Sequence, residues 1–168
     1  MKALYAYLHK DDFSEEEQMK WGITGLMHDA DYELMPKDHP ELHGMLLFDP
    51  DLIGVEKEPH IPDDIAHAIK AHNFENTKVT PETQMAWAIT SCDQLTGLIV
   101  ACALVRPEKT LESVTVESVL KKFNNPGFAR GAERHMIKHC EEKLGIPLPE
   151  FINIILKAMQ GIHTEMGL

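Results

Sequence analysis

Three groups of residues in this sequence carry side chains that could bind a metal ion or move a proton. His28 and Asp29 form a doublet after the apolar stretch WGITGLM, and Asp93 lies inside the most apolar segment of the chain. Imidazole is a borderline nitrogen ligand, whereas a carboxylate is a hard oxygen ligand that can bridge two ions. The third group is a concentration of histidines near the doublet: His28, His39, His43, His60, His67 and His72.

Asp93 belongs to the segment MAWAITSCDQLTGLIVACALV. A carboxylate flanked by Ile89, Leu95 and Leu98 is costly to bury unless something compensates its charge. A basic partner, a set of hydrogen-bond donors or a metal ion could do so. No Lys or Arg lies within two turns on the same predicted helix, so a salt bridge to a distant helix is the alternative to a metal ion.

The histidines between the doublet and Asp93 differ in their expected surroundings. His39 and His43 lie four residues apart in a predicted helix and therefore share one face. His72 continues the apolar face of another predicted helix, so its imidazole points inward and needs a polar partner. A metal ion or a carboxylate would supply one, and a backbone hydrogen bond is the alternative. We expect His43 and His72 to line the same cleft as the doublet, with His60 and His163 outside it.

Helix signals recur from one end of the chain to the other. No run of β-branched residues alternates with polar ones, so strands are not expected. The pattern predicts an all-α fold, a single bundle of about seven helices in one domain over residues 1–168. Capping residues, prolines and apolar spacing place helices at about 1–10, 14–28, 38–47, 62–72, 80–105, 115–123, 128–144 and from 147 onward, with a loop at 49–61.

Composition and charge exclude several classes of partner. The net charge of −11 over 168 residues argues against a nucleic-acid backbone, since phosphate binding needs clustered Lys and Arg. It does not exclude a small phosphorylated substrate, because one metal ion can reverse the local field. The longest apolar run, 98–105, is too short to cross a bilayer, so no membrane association is expected. The absence of a signal-peptide pattern and three scattered cysteines favour a cytoplasmic protein.

An ordered set of motifs resembles the HD-domain family of all-helical, metal-dependent phosphohydrolases. The strings that carry the resemblance are GLMHDADYE, PELHG, AIKAHN and SCDQLTGLIVACALVRPEKTLESVTVESVLKKF. They extend over nearly the whole chain, from about Trp21 to Met159. A His-Asp doublet is weak by itself, but the ordered set at these spacings is specific.

The resemblance implies a function and a set of site residues. The chain would hydrolyse a phosphoester or phosphoanhydride, including those of nucleotides, with a divalent ion (Mn, Fe, Co, Ni, Zn or Mg) as cofactor. Asp29 and Asp93 would be catalytic. The metal ligands would be His28, Asp29, Asp93, His43 and His72. Arg106 and Lys109 are candidates for contacting the substrate phosphate, against the alternative that they are solvated charges at a helix end.

One ligand of the family pattern has no counterpart. The family's first His stands on a helix well before the doublet, at a distance that lies outside this chain, and His9 is too close to the doublet to replace it. We expect a shortened family member, a gene start placed too late, or a ligand borrowed from a partner subunit in a homo-oligomer. The alternative function is a non-catalytic metal-binding or regulatory module, since lost ligands weaken metal binding.

Overall fold

The structure, a computed structural model, describes residues 1–34, 37–48 and 61–168. Within these ranges every regular element is a helix and no residue lies in a β-strand, which confirms the predicted all-α class. Most of the predicted loop at 49–61, with His60, lies outside the described residues. Backbone contacts divide the chain into two compact units, Met1–Thr90 and Ser91–Leu168. That the whole chain is one domain stays a prediction.

The first unit contains the helices that carry the doublet and the histidines. They are α1 (Lys2–Leu8), α2 (Glu15–Met27), α3 (Asp63–Ala71), the short α4 (Phe74–Thr77) and the beginning of α5 (Gln84–Leu104). Buried apolar side chains of α1, α2, α3 and α5 form its core: Leu4, Tyr5, Trp21, Ile65, Ala68, Ile69, Met85 and Ala86. Burial of such side chains is the main favourable term in folding, and here it packs α2 and α3, which carry His28 and His72 at their ends, into one core.

Helix α2 begins where its capping signal predicts. The Ser14 hydroxyl accepts a hydrogen bond from the Glu17 N–H at 3.4 Å, and Ser14 donates its own N–H to the Tyr5 hydroxyl at 3.1 Å. Glu17 therefore does not close the second half of a capping box. Its carboxylate lies 2.7 Å from the Lys20 ammonium instead. The hydrogen bond between Ser14 and Tyr5 links the start of α2 to α1, and the other end of α2 is followed directly by the doublet.

The segment after the doublet is not the α-helix that its sequence suggests. Two 3-10 helices, Pro40–Leu42 and Leu46–Phe48, replace it. His43 lies between them with extended backbone angles, φ −63° and ψ 124°, so His39 and His43 do not share a helical face. The prediction was wrong because Gly44, with φ +80°, reverses the chain where an α-helix would have to continue.

Helix α5 begins later than predicted and passes from the first unit into the second. The Thr83 hydroxyl accepts a hydrogen bond from the Ala86 N–H at 3.1 Å, so Thr83 rather than Thr80 caps this helix. Among the described residues α5 alone is long and apolar enough to span a membrane by length and composition, and 56% of its most apolar stretch is buried in the protein. A buried core helix passes the same test, so this property alone does not indicate a membrane protein.

The second unit contains the rest of α5, α6 (Val116–Phe123), α7 (Arg134–Leu144), α8 (Leu148–Gln160) and α9 (His163–Met166). Thr115 and Ser118 form a complete capping box at α6. Helix α7 begins at Arg134 rather than at 128, because the Arg134 guanidinium hydrogen-bonds the carbonyls of Phe128, Ala129 and Ala132 and holds that segment in turns.

Candidate metal centre

Two helices of the first unit end at histidines that make the same local contact. His28 is the C-cap of α2 and His72 is the C-cap of α3. Nδ1 of His28 lies 3.0 Å from the Gly25 carbonyl oxygen, and Nδ1 of His72 lies 2.5 Å from that of Ile69. The last carbonyls of a helix lack intrahelical donors, so each imidazole satisfies one of them.

These contacts fix the protonation pattern of both rings. A carbonyl oxygen only accepts hydrogen bonds, so Nδ1 must carry the proton in each case. In the neutral imidazole the lone pair is then on Nε2. Metal-binding histidines show the same arrangement, in which one ring nitrogen donates to a carbonyl and the other faces the ion. The helix ends thus orient His28 and His72 as Nε2 ligands.

Three imidazoles surround the carboxylate of Asp29. The Nε2 atom of His43 lies 2.8 Å from Oδ1 of Asp29, that of His72 lies 3.7 Å from the same oxygen, and that of His28 lies 3.5 Å from Oδ2. The ring centroids of His43 and His72 are 4.8 Å apart, and those of His28 and His72 are 5.2 Å apart. We call these four residues the histidine–aspartate cluster.

His43 reaches the cluster because a buried carboxylate holds its segment in place. Asp31 is fully buried. It accepts the Gly44 N–H at 3.1 Å and the Leu46 N–H at 3.0 Å, one on each carboxylate oxygen. Hydrogen bonds to a charged acceptor are the stronger kind. Asp31 follows Asp29 by two residues in the chain. Its two hydrogen bonds therefore hold the backbone around Gly44, and with it the adjacent His43, close to the doublet.

Gly44 allows that segment to approach α3 closely. A Cβ atom at this position would lie 2.8 Å from the Ile69 carbonyl oxygen and 3.0 Å from Cε1 of His72. The φ angle of +80° is also one that side chains with a Cβ rarely adopt. Glycine is therefore required here by conformation and by space, and its backbone, directly after His43, lies close to the His72 ring.

The cluster is buried on its nitrogen side and open on its oxygen side. The exposed fraction of the side chain is 2% for His72, 14% for His43 and 17% for His28, but 48% for Asp29. Side-chain interaction with His43 is the main cause that lowers the pKa of Asp29, and the positive charge of His28 adds to it. The same interaction raises the pKa of His43 against the opposing effect of burial. The carboxylate is thus ionised and accessible from solvent.

The spacing of the ligand atoms fits a shared cation. One oxygen of Asp29 and the ring nitrogens of His43 and His72 all lie within 4.8 Å of one another. Two ligands bound at about 2.0–2.2 Å to one ion at tetrahedral or octahedral angles are about 2.9–3.6 Å apart, and the observed distances bracket this range. Nε2 of His43 is buried and lacks a partner in hydrogen-bond geometry among the described residues, although it is 2.8 Å from Asp29. Two ligands of one ion would approach each other in this way.

The other histidines lie elsewhere or pair differently. His39 is exposed and lies 2.9 Å from Glu41, and His67 accepts the Glu82 N–H at 3.1 Å. His163, in the second unit, lies 3.0 Å from Glu112. Asp31 and Gly44 are the two supporting residues that sequence reasoning missed. The only signal was their position inside the strings HDAD and PELHG, since burial of an Asp cannot be read from its neighbours.

Asp93, Arg106 and Lys109 all lie in the second unit. Asp93 is half-buried, and its Oδ2 accepts a hydrogen bond from Nε2 of Gln94 at 2.9 Å, so a donor on its own helix contributes to its compensation. Its convergence with His28 and Asp29 stays a prediction. Arg106 is half-buried after the end of α5, whereas Lys109 is exposed in a left-handed backbone conformation with φ 54°.

Comparison with known proteins identifies no relative of this chain. No protein-family model matches it, and neither does any curated protein or any solved structure.

Proposed function

We propose that this protein is a metal-dependent phosphohydrolase of the HD-domain type whose metal centre includes His28, Asp29, His43 and His72. The observation that carries the proposal is the convergence of three Nε2 atoms on the Asp29 carboxylate at 2.8–3.7 Å. A lone pair on Nε2 facing a carboxylate oxygen is repulsive unless a proton or a cation lies between them. A divalent cation between Asp29, His43 and His72 would relieve this repulsion, since their ligand atoms all lie within 4.8 Å of one another, and His28 approaches the other oxygen of the same carboxylate.

The donor set narrows the choice of metal. Three imidazoles and one carboxylate suit Mn, Fe, Co, Ni or Zn, whereas Mg prefers oxygen ligands and retains its waters. In the proposal Asp93 supplies a further carboxylate, as the family resemblance implies. A bound divalent ion would supply Lewis-acid polarisation of a phosphoryl oxygen and a water of lowered pKa.

The residues of the chain divide the remaining work. The buried imidazoles would hold the ion, and their burial would keep water away from the ligand nitrogens. The half-exposed carboxylate of Asp29 faces the side from which a substrate and a water molecule can enter, and its ionised oxygens can orient that water as hydrogen-bond acceptors. The substrate class, a phosphoester or phosphoanhydride, comes from the resemblance to the HD-domain family.

Metal content and phosphate release test the proposal directly. Purified protein should hold about one transition-metal ion per chain by elemental mass spectrometry and should release phosphate from members of a phosphoester and nucleotide panel. His43→Ala should reduce metal affinity by about ten-fold or more, since even the loss of residues that only orient ligands costs about 10–100-fold. Turnover should fall in parallel.

His39→Ala is the matched control, because His39 is exposed, lies four residues away and contacts Glu41 rather than the cluster. It should leave metal affinity and turnover at the wild-type values. Protein that binds no metal would contradict the proposal. Protein that binds metal through His43 but hydrolyses no member of the panel would contradict the hydrolase and favour a non-catalytic metal module.

Metal affinity should rise with pH, because a proton and a metal ion compete for His43. Interaction with Asp29 raises the pKa of His43 above the ordinary value of 6.5, so the proton is retained to a higher pH than on a free histidine. Affinity measured by competition with a chelator should therefore increase through a midpoint above 6.5. In metal-free protein the stability of the fold should change with pH in the opposite direction. The contribution of protonated His43 to the free energy of unfolding is fully present below pH 6.5, and it is lost as pH rises through the raised pKa of His43. A metal affinity independent of pH between 6 and 8, about where histidine titrates, would exclude His43 as a ligand.

A further inference from the structure

A cavity of about 230 Å³ in the second unit is formed where the end of α5 meets α6. Its lining residues are Cys102, Val105, Arg106, Pro107, Ser118 and Lys122. The only charged residues among them are two cations. We propose that this cavity binds a small tetrahedral oxyanion, a phosphate or a phosphomonoester group, through Arg106 and Lys122.

The two cations line the cavity without a neutralising acid. Both are half-buried, no carboxylate lines the cavity, and neither residue has an acidic side chain within ion-pair distance in the part of the chain that the structure describes. Like charges that share a cavity repel each other, and partial burial removes some of their hydration. A bound anion would offset both costs.

A neighbouring aromatic ring holds Lys122 in place. The Lys122 ammonium lies 4.4 Å from the centroid of the Phe128 ring, a contact that restricts its flexible side chain. The Ser118 hydroxyl accepts the Thr115 N–H and donates to the Thr115 carbonyl, so Ser118 forms a fixed wall rather than a ligand. The planar guanidinium of Arg106 can donate two parallel hydrogen bonds to an oxyanion.

The thiol of Cys102, which also lines the cavity, does not contribute a negative charge as a thiolate. Burial raises the pKa of the Cys102 thiol, and the cations of Lys122, Arg106 and Arg134 oppose that rise. The thiol is therefore neutral near pH 7. The electrostatic effect of Arg134 on the same thiol shows that a third positive charge lies near the cavity.

The charge distribution favours a small ligand over a polymer. Residues 1–90 contain 18 Asp and Glu against 7 Lys and Arg, which accounts for the whole net charge of −11, whereas residues 91–168 contain 9 of each. A polyanion requires an extended basic surface, and a unit without net charge does not provide one. The cavity volume of about 230 Å³ holds a tetrahedral oxyanion with a few waters, since one water occupies about 30 Å³.

Titration with inorganic phosphate tests the cavity independently of the metal centre. The full chain is titrated at low ionic strength, in the presence of EDTA so that phosphate cannot bind through a metal ion, and binding is followed by calorimetry and by amide NMR shifts. Arg106→Gln and Lys122→Gln should each weaken phosphate binding by about ten-fold, the effect of one charged hydrogen bond. The shifts in wild-type protein should map to residues around 106, 118 and 122.

Lys121→Gln is the matched control, because Lys121 is a neighbouring cation of α6 that is exposed and does not line the cavity. It should bind phosphate as wild type does. No binding by wild-type protein, equal binding by all three variants, or shifts confined to other residues would overturn the proposal. If a cavity variant fails to fold, the wild-type shift map alone decides.

Two sources of the phosphate can be separated with metal-loaded protein. If the ligand is the phosphate group of the hydrolysed substrate, Arg106→Gln should raise KM. If it is a separate phosphate, KM should stay unchanged while phosphate binding in EDTA is still lost. Both outcomes require the cavity to bind phosphate. The titration in EDTA does not depend on the metal centre. Failure of the hydrolase proposal can therefore be distinguished from failure of the phosphate-cavity proposal.

Discussion

Replacing Asp29 with asparagine should abolish measurable metal binding, with a loss of more than about 100-fold, beyond the range found when residues that orient ligands are lost. All three imidazoles of the cluster approach the Asp29 carboxylate within 3.7 Å. Asparagine keeps its size but removes the charge that attracts the cation. Calorimetric titration of chelator-treated protein with Zn²⁺ and with Mn²⁺ measures the loss.

Asp38→Asn is the control for this substitution, because it removes the same charge from an exposed position nearby in sequence. It should leave metal affinity within about two-fold of wild type, since interactions between exposed charges are weak. Asp29 is half-exposed, so the asparagine variant should fold. It should also lower the pKa of His43, because Asp29 is the main cause of its raised value. If folded Asp29→Asn protein bound metal with unchanged affinity, Asp29 would not be a metal ligand and the histidine–aspartate cluster would not be the metal centre.

The helix ends that were predicted correctly depend on local signals. The capping signal of Ser14 and the apolar spacing place the end of α2 at the doublet, and Pro62 and the Ile65–Ile69 spacing place the end of α3 at His72. Both histidines are C-caps in the structure. A helix end is determined by a few neighbouring residues, so the sequence alone predicts where it falls. The all-α class follows from the same kind of signal repeated along the chain.

The parts that were not predicted depend on contacts between distant residues. Apolar and polar spacing at 38–47 is compatible with a helix, but Asp31 binds the N–H groups of Gly44 and Leu46 and favours a tighter path. Likewise, the Arg134 guanidinium replaces the predicted first turns of α7 with hydrogen bonds to three carbonyls. Such side-chain to backbone bonds compete with helix formation, and their partners cannot be chosen from spacing. His43 therefore reaches the cluster by a different route from the shared helical face that we predicted.

At Gly44 a local requirement of the backbone and a contact with a distant residue, His72, occur at the same position. Gly44→Ala should destabilise the protein by about 1–2 kcal/mol from the left-handed backbone, and by about a further 1–3 kcal/mol from overpacking. The added Cβ would lie 2.8 Å from the Ile69 carbonyl oxygen, the acceptor that orients His72. We therefore expect metal affinity to fall as well, by about ten-fold or more, as when a ligand-orienting contact is lost. Thermal or urea unfolding and metal titration measure the two effects.

Gly145→Ala separates the two causes. Gly145 also has a positive φ, +67°, but a Cβ there would meet nothing within 4 Å. This control should show only the backbone cost of about 1–2 kcal/mol and should keep wild-type metal affinity. If Gly44→Ala and Gly145→Ala lose the same stability and both bind metal normally, the close approach of Gly44 does not position His72. If only Gly44→Ala loses metal affinity, the close approach of Gly44 keeps the Ile69 carbonyl and the His72 ring in the orientation that metal binding needs.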